Sequence, residues 1–177
     1  MPKNMRGRLI ELTIIIGLTV SLTGCLGGGG SSVNAVVRGE VNALLDRLEV
    51  AFLTEDVDLA LSCYSDPFVV ATGSSETTYT HAQQRSVFEL AFSLIDYLTY
   101  DVINRQIVVI DAASAIATCD IHIKGTNPST GTIEEMDHVE LTIRKIADQW
   151  RITKYKLLQV TPLSQVVMPE AMRAPAR

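Results

Sequence analysis

Acidic and basic side chains that could act together as proton donor and acceptor fall in two places of this chain of 177 residues. Asp120 and His122 are two residues apart, a spacing that puts both side chains on one face of a β-strand. Asp137 and His138 are neighbours, so a strand would send them to opposite faces. The sequence therefore raises general acid–base chemistry as a hypothesis. Whether it holds depends on which of these side chains point toward the core in the two predicted strands.

Alternation of apolar residues indicates which of these side chains point toward a core. Asp120 and His122 have the opposite parity to the apolar positions of their segment, which predicts a solvated pair on the outer face. Asp137 shares its parity with apolar residues and should point inward, where a carboxylate marks either a pocket or a structural hydrogen bond because unpaired burial is costly. The predicted inward positions are Ala115, Ala117, Cys119, Ile121, Ile123, Asp137, Val139, Leu141 and Ile143.

The sequence predicts neither a metal site nor another cofactor. His81, His122 and His138 are scattered, and no group of His and Cys residues has the spacing of metal ligands. Cys63 and Cys119 form an even pair that permits one disulfide in an exported domain, with two separate buried thiols as the alternative.

The N-terminal segment carries the most specific pattern of the sequence. Three basic residues precede the apolar run of residues 12–22, which is too short to span a bilayer, and Leu22-Thr23-Gly24-Cys25 follows. These four residues resemble the lipobox of bacterial lipoproteins, which implies a signal peptide at 1–24 and acylation of Cys25. Several acyl chains, at about 0.8 kcal/mol per buried methylene, anchor a protein effectively permanently. Residues 25–32 are predicted to be a lipidated Gly/Ser tether.

The same resemblance implies a location. Residue 26 is Leu, whereas an Asp after the lipidated cysteine resembles an inner-membrane retention signal in Gram-negative lipoproteins. We therefore expect a lipid-anchored protein of the cell envelope, in the outer membrane if the cell is Gram-negative. The full chain has a net charge of −5, and removal of a signal peptide carrying +2 leaves −7. A domain this acidic is a poor candidate for binding nucleic acid.

Hydrophobic periodicity predicts helices first and strands afterwards. Apolar residues at three- and four-residue steps predict a helix over about 37–52, and a short second helix covers about 56–64. An apolar strand at 68–71 and a polar loop at 72–78 lead to Thr80-His81-Ala82-Gln83, which has the spacing of a capping box. The third helix that follows is broadly apolar, so we expect cover on more than one side.

From residue 97 onward the hydrophobic period is two. The predicted strands are 98–110, 114–126, 132–146 and 149–160, and their short connections imply antiparallel neighbours. In the last strand Trp150 and Ile152 should face inward, yet Lys154 and Lys156 share their parity, which implies a bulge or departure from the sheet. The prediction is an α+β domain at 33–161, with three helices on one face of a curled antiparallel sheet, and a disordered tail at 162–177.

Three segments of this domain resemble the nuclear transport factor 2-like superfamily, which includes SnoaL-like proteins and ketosteroid isomerases. The resemblance implies a cystatin-like cone whose sheet and helices enclose a pocket. The superfamily contains both enzymes and binding modules, so the fold by itself assigns no function. The matching segments are Asp56 to Asp66, Asp137-His138, and Trp150-Arg151-Ile152.

The resemblance to ketosteroid isomerases implies a site that this chain fills only in part. Thr72 occupies the position of their aspartate base and Leu48 that of their oxyanion-hole tyrosine, and neither residue can do that chemistry. Asp137 corresponds to the second oxyanion-hole group. Tyr64 and Thr72 are further candidates for polar contacts in the pocket.

Two hypotheses for function follow. The first is a membrane-tethered, non-catalytic SnoaL-like module that binds a small apolar ligand or an envelope partner, favoured because the inward positions are nearly all apolar. The alternative is a SnoaL-like lyase, isomerase or hydrolase that uses Asp137 and Tyr64. The outer sheet face is too polar for a typical obligate interface, which predicts a monomer or weak homodimer.

Overall fold

The computed structural model describes residues 29–163. The predicted signal peptide, Cys25 and nearly all of the predicted tail lie outside this range. The elements are α1 (Gly29–Leu53), α2 (Val57–Ser62), β1 (Tyr64–Thr72), β2 (Ser75–Tyr79), α3 (His81–Leu94), β3 (Asp96–Asp111), β4 (Ser114–Asn127), β5 (Gly131–Ile146) and β6 (Gln149–Pro162).

Helix α1 is the long element that closes the core. It begins at Gly29, so residues 29–32, predicted as tether, are helical. The predicted apolar stripe is buried throughout because its three- and four-residue spacing keeps one side of the helix against the sheet. Its members are Val37, Val41, Leu44, Leu45, Leu48, Ala51 and Phe52.

Helix α3 begins as the sequence predicts and packs differently. Thr80 and Gln83 form the capping box, with the Thr80 backbone nitrogen donating to Gln83 Oε1 at 2.9 Å. The expectation that α3 is covered on more than one side is wrong, since Val87, Leu90 and Leu94 are exposed. One side of the helix packs inward, and no further layer lies over the other side in the described part of the chain.

The six strands form one mixed sheet in the order β2-β1-β6-β5-β4-β3. The antiparallel meander from β3 to β6 is confirmed, and the chain is α+β as predicted. Two corrections concern β1 and β2. β1 runs parallel to β6, so the sheet is not wholly antiparallel, and segment 75–79, predicted as loop, pairs with β1 as a hairpin strand.

The expected irregularity in β6 is a bulge at Thr153. Ile143 pairs with Ile152, whereas Thr142 pairs with Lys154, which leaves Thr153 as an extra residue. The bulge resets the alternation, so that Tyr155 pairs with the buried, inward-facing Leu141.

Polar side chains fasten α1 to the sheet at two places. Arg105 Nη2 on β3 lies 2.7 Å from Glu49 Oε1, which also accepts the Val102 backbone N–H at 2.6 Å. Trp150 Nε1 on β6 donates to Glu40 Oε2 at 2.6 Å. Between these contacts lies the core of α1, β4, β5 and β6.

Candidate functional site

A cavity of about 300 Å³ lies between α3, the β1–β2 hairpin and the inner face of the sheet. Its walls are largely aromatic, and their rings pack on one another: Phe52 stacks on Tyr100 with centroids 4.0 Å apart, and Phe88 meets Phe52 edge-on at 5.6 Å. Such a lining suits a planar, mostly apolar molecule. The lining residues are Phe52, Tyr64, Phe68, Val70, Tyr79, Gln84, Val87, Phe88, Tyr100, Ile123 and Tyr155.

Four polar groups in this wall are available to a ligand. The hydroxyls of Tyr64, Tyr79 and Tyr100 and the side-chain amide of Gln84 make no hydrogen bond to any part of the chain that the structure describes. Burial raises the pKa of both Tyr64 and Tyr100, so each hydroxyl is neutral at pH 7 and able to donate. The cavity therefore offers three phenol groups and one amide among aromatic rings.

Asp137 lies on β5, half-buried on the same side of the sheet as Val139 and Leu141. Its Oδ1 atom is buried and has no hydrogen-bond partner within residues 29–163. Burial, with a smaller contribution from Glu135, raises the pKa of Asp137 to about 6, and a hydrogen bond from Tyr155 opposes this rise. Burial also raises the pKa of Tyr155, so a neutral phenol meets a carboxyl that titrates near neutrality.

The structure places the predicted pocket residues in three different settings. Tyr64 lines the cavity, whereas Asp137 is not among its lining residues, and the group that lowers the pKa of the Asp137 carboxyl is Tyr155 rather than Tyr64. Thr72 is exposed at the end of β1, where it pairs with Ser75, so its prediction as a pocket residue was wrong. Thr72 lies at the turn between β1 and β2, beyond the β1 residues that line the cavity. Leu48, at the position of the isomerase tyrosine, is fully buried in the core.

Tyr100, Gln84 and above all Tyr155 are site residues that the sequence prediction did not include. The signal for Tyr155 was present, because the lysines on either side of it implied either a bulge or departure of the strand from the sheet. Placing that bulge before Lys154 turns Tyr155 inward; strict alternation from Trp150 turns it outward.

Cys63 and Cys119 are both buried and not bonded to each other. The disulfide considered from the sequence is therefore absent, and the alternative of two separate thiols describes the pair. Burial raises the pKa of Cys119 to about 12 and also raises that of Cys63, which keeps both protonated and poorly reactive.

On the outer face, Asp120 and His122 are not partners of each other. Asp120 Oδ1 lies 2.6 Å from His138 Nδ1, and Asp120 Oδ2 accepts from Asn104 Nδ2 at 2.7 Å. The bonds from Asn104 and His138 lower the pKa of Asp120. His122 Nε2 instead lies 3.1 Å from Glu134 Oε1. These cross-strand pairs occupy a solvated surface, as the alternation predicted.

A second hollow, about 790 Å³ in volume, is an open depression over the outer face of the sheet. Its walls are mostly polar and charged, with Lys154 bound to Glu76, and Asp137 and the free tyrosine hydroxyls are elsewhere. We therefore place the candidate site in the smaller aromatic cavity. Within residues 29–163, no group of three His, Cys, Asp or Glu side chains could hold a metal ion.

Helices packed on a curled sheet around an inner cavity define the cone-shaped class of α+β domains. The SnoaL-like domain family matches residues 41–158, and the chain belongs to that family. No curated protein shows significant sequence similarity to the chain. Within residues 29–163, no helix is both long enough and apolar enough to span a membrane.

Solved structures share the fold at low sequence identity. A protein named as a candidate scytalone dehydratase from Novosphingobium aromaticivorans has a TM-score of 0.67 and 11% identity, covering 81% of this chain and 99% of its own. A protein of unknown function with a cystatin-like fold from Nostoc punctiforme has a TM-score of 0.56 and 16% identity, covering 70% of this chain and 90% of its own. A ketosteroid isomerase-like protein from Erwinia carotovora atroseptica has a TM-score of 0.55 and 20% identity, covering 74% of this chain and 96% of its own. The predicted cystatin-like cone is thereby confirmed.

Proposed function

We propose that this protein is a lipid-anchored binding protein of the cell envelope whose aromatic cavity takes up a small, uncharged, largely apolar ligand. The observation that carries the binding role is the cavity of about 300 Å³, walled by aromatic rings, with the Tyr64 and Tyr100 hydroxyls unbonded within the described chain. The lipobox-like segment ending at Cys25 supports the anchor. Leu26 favours the outer membrane in a Gram-negative cell.

The polar groups define the ligand further. The three phenols and the Gln84 amide can donate to a carbonyl or hydroxyl oxygen. The Asp137 carboxyl does not line the cavity but lies beside the lining residue Tyr155; with its pKa of about 6 it is mostly ionised at pH 7 and disfavours an anionic ligand. A planar phenol or ketone therefore fits the cavity better than a fatty acid or a phosphate ester does. We expect the carrier to work as a monomer or weak homodimer.

Binding can be tested with 2-naphthol, a fluorescent planar phenol. We expect saturable binding to the purified domain, and Tyr100→Phe should weaken it about threefold to tenfold because one hydrogen bond is lost while the ring stays. Val87→Trp should weaken it more strongly by filling the opening. Tyr97→Phe is the matched control, since Tyr97 belongs to the aromatic cluster and does not line the cavity. Equal affinity in all four proteins would contradict the assigned site.

The anchor has a separate test. Protein isolated from membranes of expressing cells should begin at Cys25 and carry the mass of a diacylglyceryl group, usually with a further acyl chain. Cys25→Ser should abolish this mass and release the protein from the membrane fraction. A wild-type chain that still begins at Met1 without lipid contradicts the anchor and leaves cavity binding unaffected.

A specific observation favours a second candidate, acid–base catalysis at a carbon acid. Asp137 combines a pKa of about 6 with an unpartnered Oδ1, and Tyr155 beside it is a neutral proton donor. The carboxylate would take a proton from carbon while a phenol hydroxyl stabilises the enolate oxygen. This candidate revises the pair Asp137 and Tyr64 expected from the sequence to Asp137 and Tyr155.

Hydrogen–deuterium exchange into 2-tetralone separates the two candidates. An enzyme should accelerate exchange at the carbon next to the carbonyl, and Asp137→Asn should abolish the acceleration while 2-naphthol binding persists. A binding protein should leave the exchange rate at that of buffer with and without Asp137. Tyr79→Phe serves as control, because Tyr79 lines the cavity without a bond to Asp137.

A further inference from the structure

We propose that the end of the domain where α1 begins lies directly on the lipid bilayer and inserts four apolar side chains into its surface. Val33 and Val36 on α1, together with Ile110 and Ile146 at the same end on the outer face of the sheet, make up this anchor-end patch. The proposal rests on the proposed acylation of Cys25 and adds to it an orientation of the domain.

The patch is assembled from three elements that meet at one end of the fold. Val33 and Val36 on α1 line a hollow of about 240 Å³ together with Ala112 and Lys145. The Lys145 backbone nitrogen donates to the Ala113 oxygen at 2.8 Å, which joins the β3–β4 turn to β5. Ile110 precedes that turn and Ile146 follows Lys145, so both lie at this end of the sheet, with their side chains on the outer face opposite α1. The exposed fractions are 44% for Val33, 60% for Val36, 59% for Ile110 and 45% for Ile146.

The bilayer is the occupant because of where the chain leaves the described structure. Four peptide steps connect Cys25 to Gly29, the first residue of α1. Fully extended, they reach about 14 Å. An acylated Cys25 sits at the membrane interface, so the first turns of α1 and the side chains beside them must lie close to it.

The basic side chains at this end face acidic ones, and the exposed Asp148 near Ile146 adds a further negative charge. Lys145 Nζ lies 3.5 Å from Glu40 Oε2, and Arg144 is among the groups that lower the pKa of Asp111, after bonds from Ser114 and Ala113. Contact with the bilayer should therefore depend on the apolar side chains and not on anionic headgroups.

The orientation also determines where the cavity opens. Helix α1 has 25 residues, a length of about 37 Å, and its cavity residue Phe52 is next to its last residue. The cavity therefore lies toward the end of α1 that points away from the bilayer, and its ligand exchanges with the aqueous compartment.

The test uses the acylated full-length protein, labelled with a fluorophore at one introduced cysteine and reconstituted in phosphatidylcholine vesicles. The sites are Val36→Cys and Ile110→Cys in the patch and Leu90→Cys on the exposed face of α3 as control. Nitroxide-bearing lipids should quench the patch labels at least about threefold more than the control label. Phosphatidylglycerol at one-third of the lipid should leave this ratio unchanged. Adding Val33→Asp and Ile146→Asp should reduce it, whereas Glu89→Gln should not.

Each other outcome overturns the proposal in an identifiable way. Acylated protein whose three labels are quenched equally overturns the orientation and leaves the anchor intact. If the patch labels show a blue-shifted emission but no quenching by nitroxide lipids, the patch is covered by protein and not by lipid. This outcome also overturns the proposed orientation. Protein without acyl chains on Cys25, found by mass spectrometry of the same sample, overturns the anchor and the orientation together.

Discussion

The Tyr155 hydroxyl lies beside the Asp137 carboxyl and lowers its pKa, while the Asp137 Oδ1 atom is buried without a hydrogen-bond partner in residues 29–163. A bulge one strand away brings the two residues to the same side of the sheet. The pair gives the domain a titratable group that changes charge near pH 6, which makes pH the most direct probe of the site.

Asp137→Asn should stabilise the protein at pH 8 and not at pH 4. The pKa of Asp137 is about 6 in the folded protein and 3.8 ordinarily, so the folded state holds the proton more tightly. The free energy of unfolding therefore falls as the pH rises between these values, and full destabilisation is present above pH 6. Removing the charge should recover about 1 to 2 kcal/mol at pH 8 after allowance for solvent screening, measured by urea unfolding. A gain that is equal at both pH values would contradict the titration.

Tyr155→Phe should raise the pKa of Asp137 further, by roughly half a unit to one unit, because the bond from Tyr155 favours the charged carboxylate. Nuclear magnetic resonance of the carboxyl carbon follows this titration directly. Tyr64→Phe is the matched control and should leave the value unchanged. If Tyr64→Phe shifted the pKa of Asp137 more than Tyr155→Phe did, Tyr64 would be the partner of Asp137, as the sequence predicted, and the assignment of Tyr155 would be wrong.

Arg105→Gln should lower the free energy of unfolding by about 2 to 3 kcal/mol. Arg105 is largely buried between α1 and β3, where it contacts Asp46, Glu49 and the Val102 carbonyl oxygen, so its loss leaves the half-buried Glu49 without its cation. Arg85→Gln removes the exposed ion pair with Asp58 and should cost less than about 1 kcal/mol. Thermal and urea unfolding of both variants compare the two, and similar losses would show that Arg105 does not fasten α1.

Gly125→Ala should destabilise the domain by more than about 2 kcal/mol, whereas Gly39→Ala should stabilise it by roughly 0.5 to 1 kcal/mol. A Cβ at Gly125 would lie 2.7 Å from Ile95 Cγ2 and 2.8 Å from the Asp96 backbone oxygen, so the start of β3 must shift. Gly39 is helical and its Cβ would meet nothing within 4 Å. Urea unfolding measures both changes, and a harmless Gly125→Ala would mean that the chain there tolerates the shift.

Local patterns predicted much of this fold. The α1 stripe, the Thr80 capping box and the four long strands depend on neighbours within a few residues, and each was found close to its predicted bounds. Segment 75–79 was not predicted as a strand because its exposed polar residues show no apolar alternation. The exposed side of α3 was not predicted either, since a helix's own sequence does not reveal whether another layer covers it.

The site depends on relationships that a local pattern cannot supply. Asp137 was found from parity as well as from the resemblance to ketosteroid isomerases, and its parity held because β4 and β5 pair without interruption. Tyr155 needed the position of the bulge, which the lysines indicated only to within a few residues. The placement of Thr72 failed because a gap-free comparison carries a residue along the chain without showing where β1 turns.

The parallel pairing of β1 with β6 determines when, during synthesis of the chain, the sheet of this domain can form. Tyr64 pairs with Ile152, 88 positions later, and β1 has no other neighbour except its own hairpin partner β2. The ribosome must therefore synthesise the chain past Ile152 before β1 can pair with β6. Truncated products that stop before Gln149 carry a hairpin with an open edge, and they are the species that chaperones or proteases must recognise.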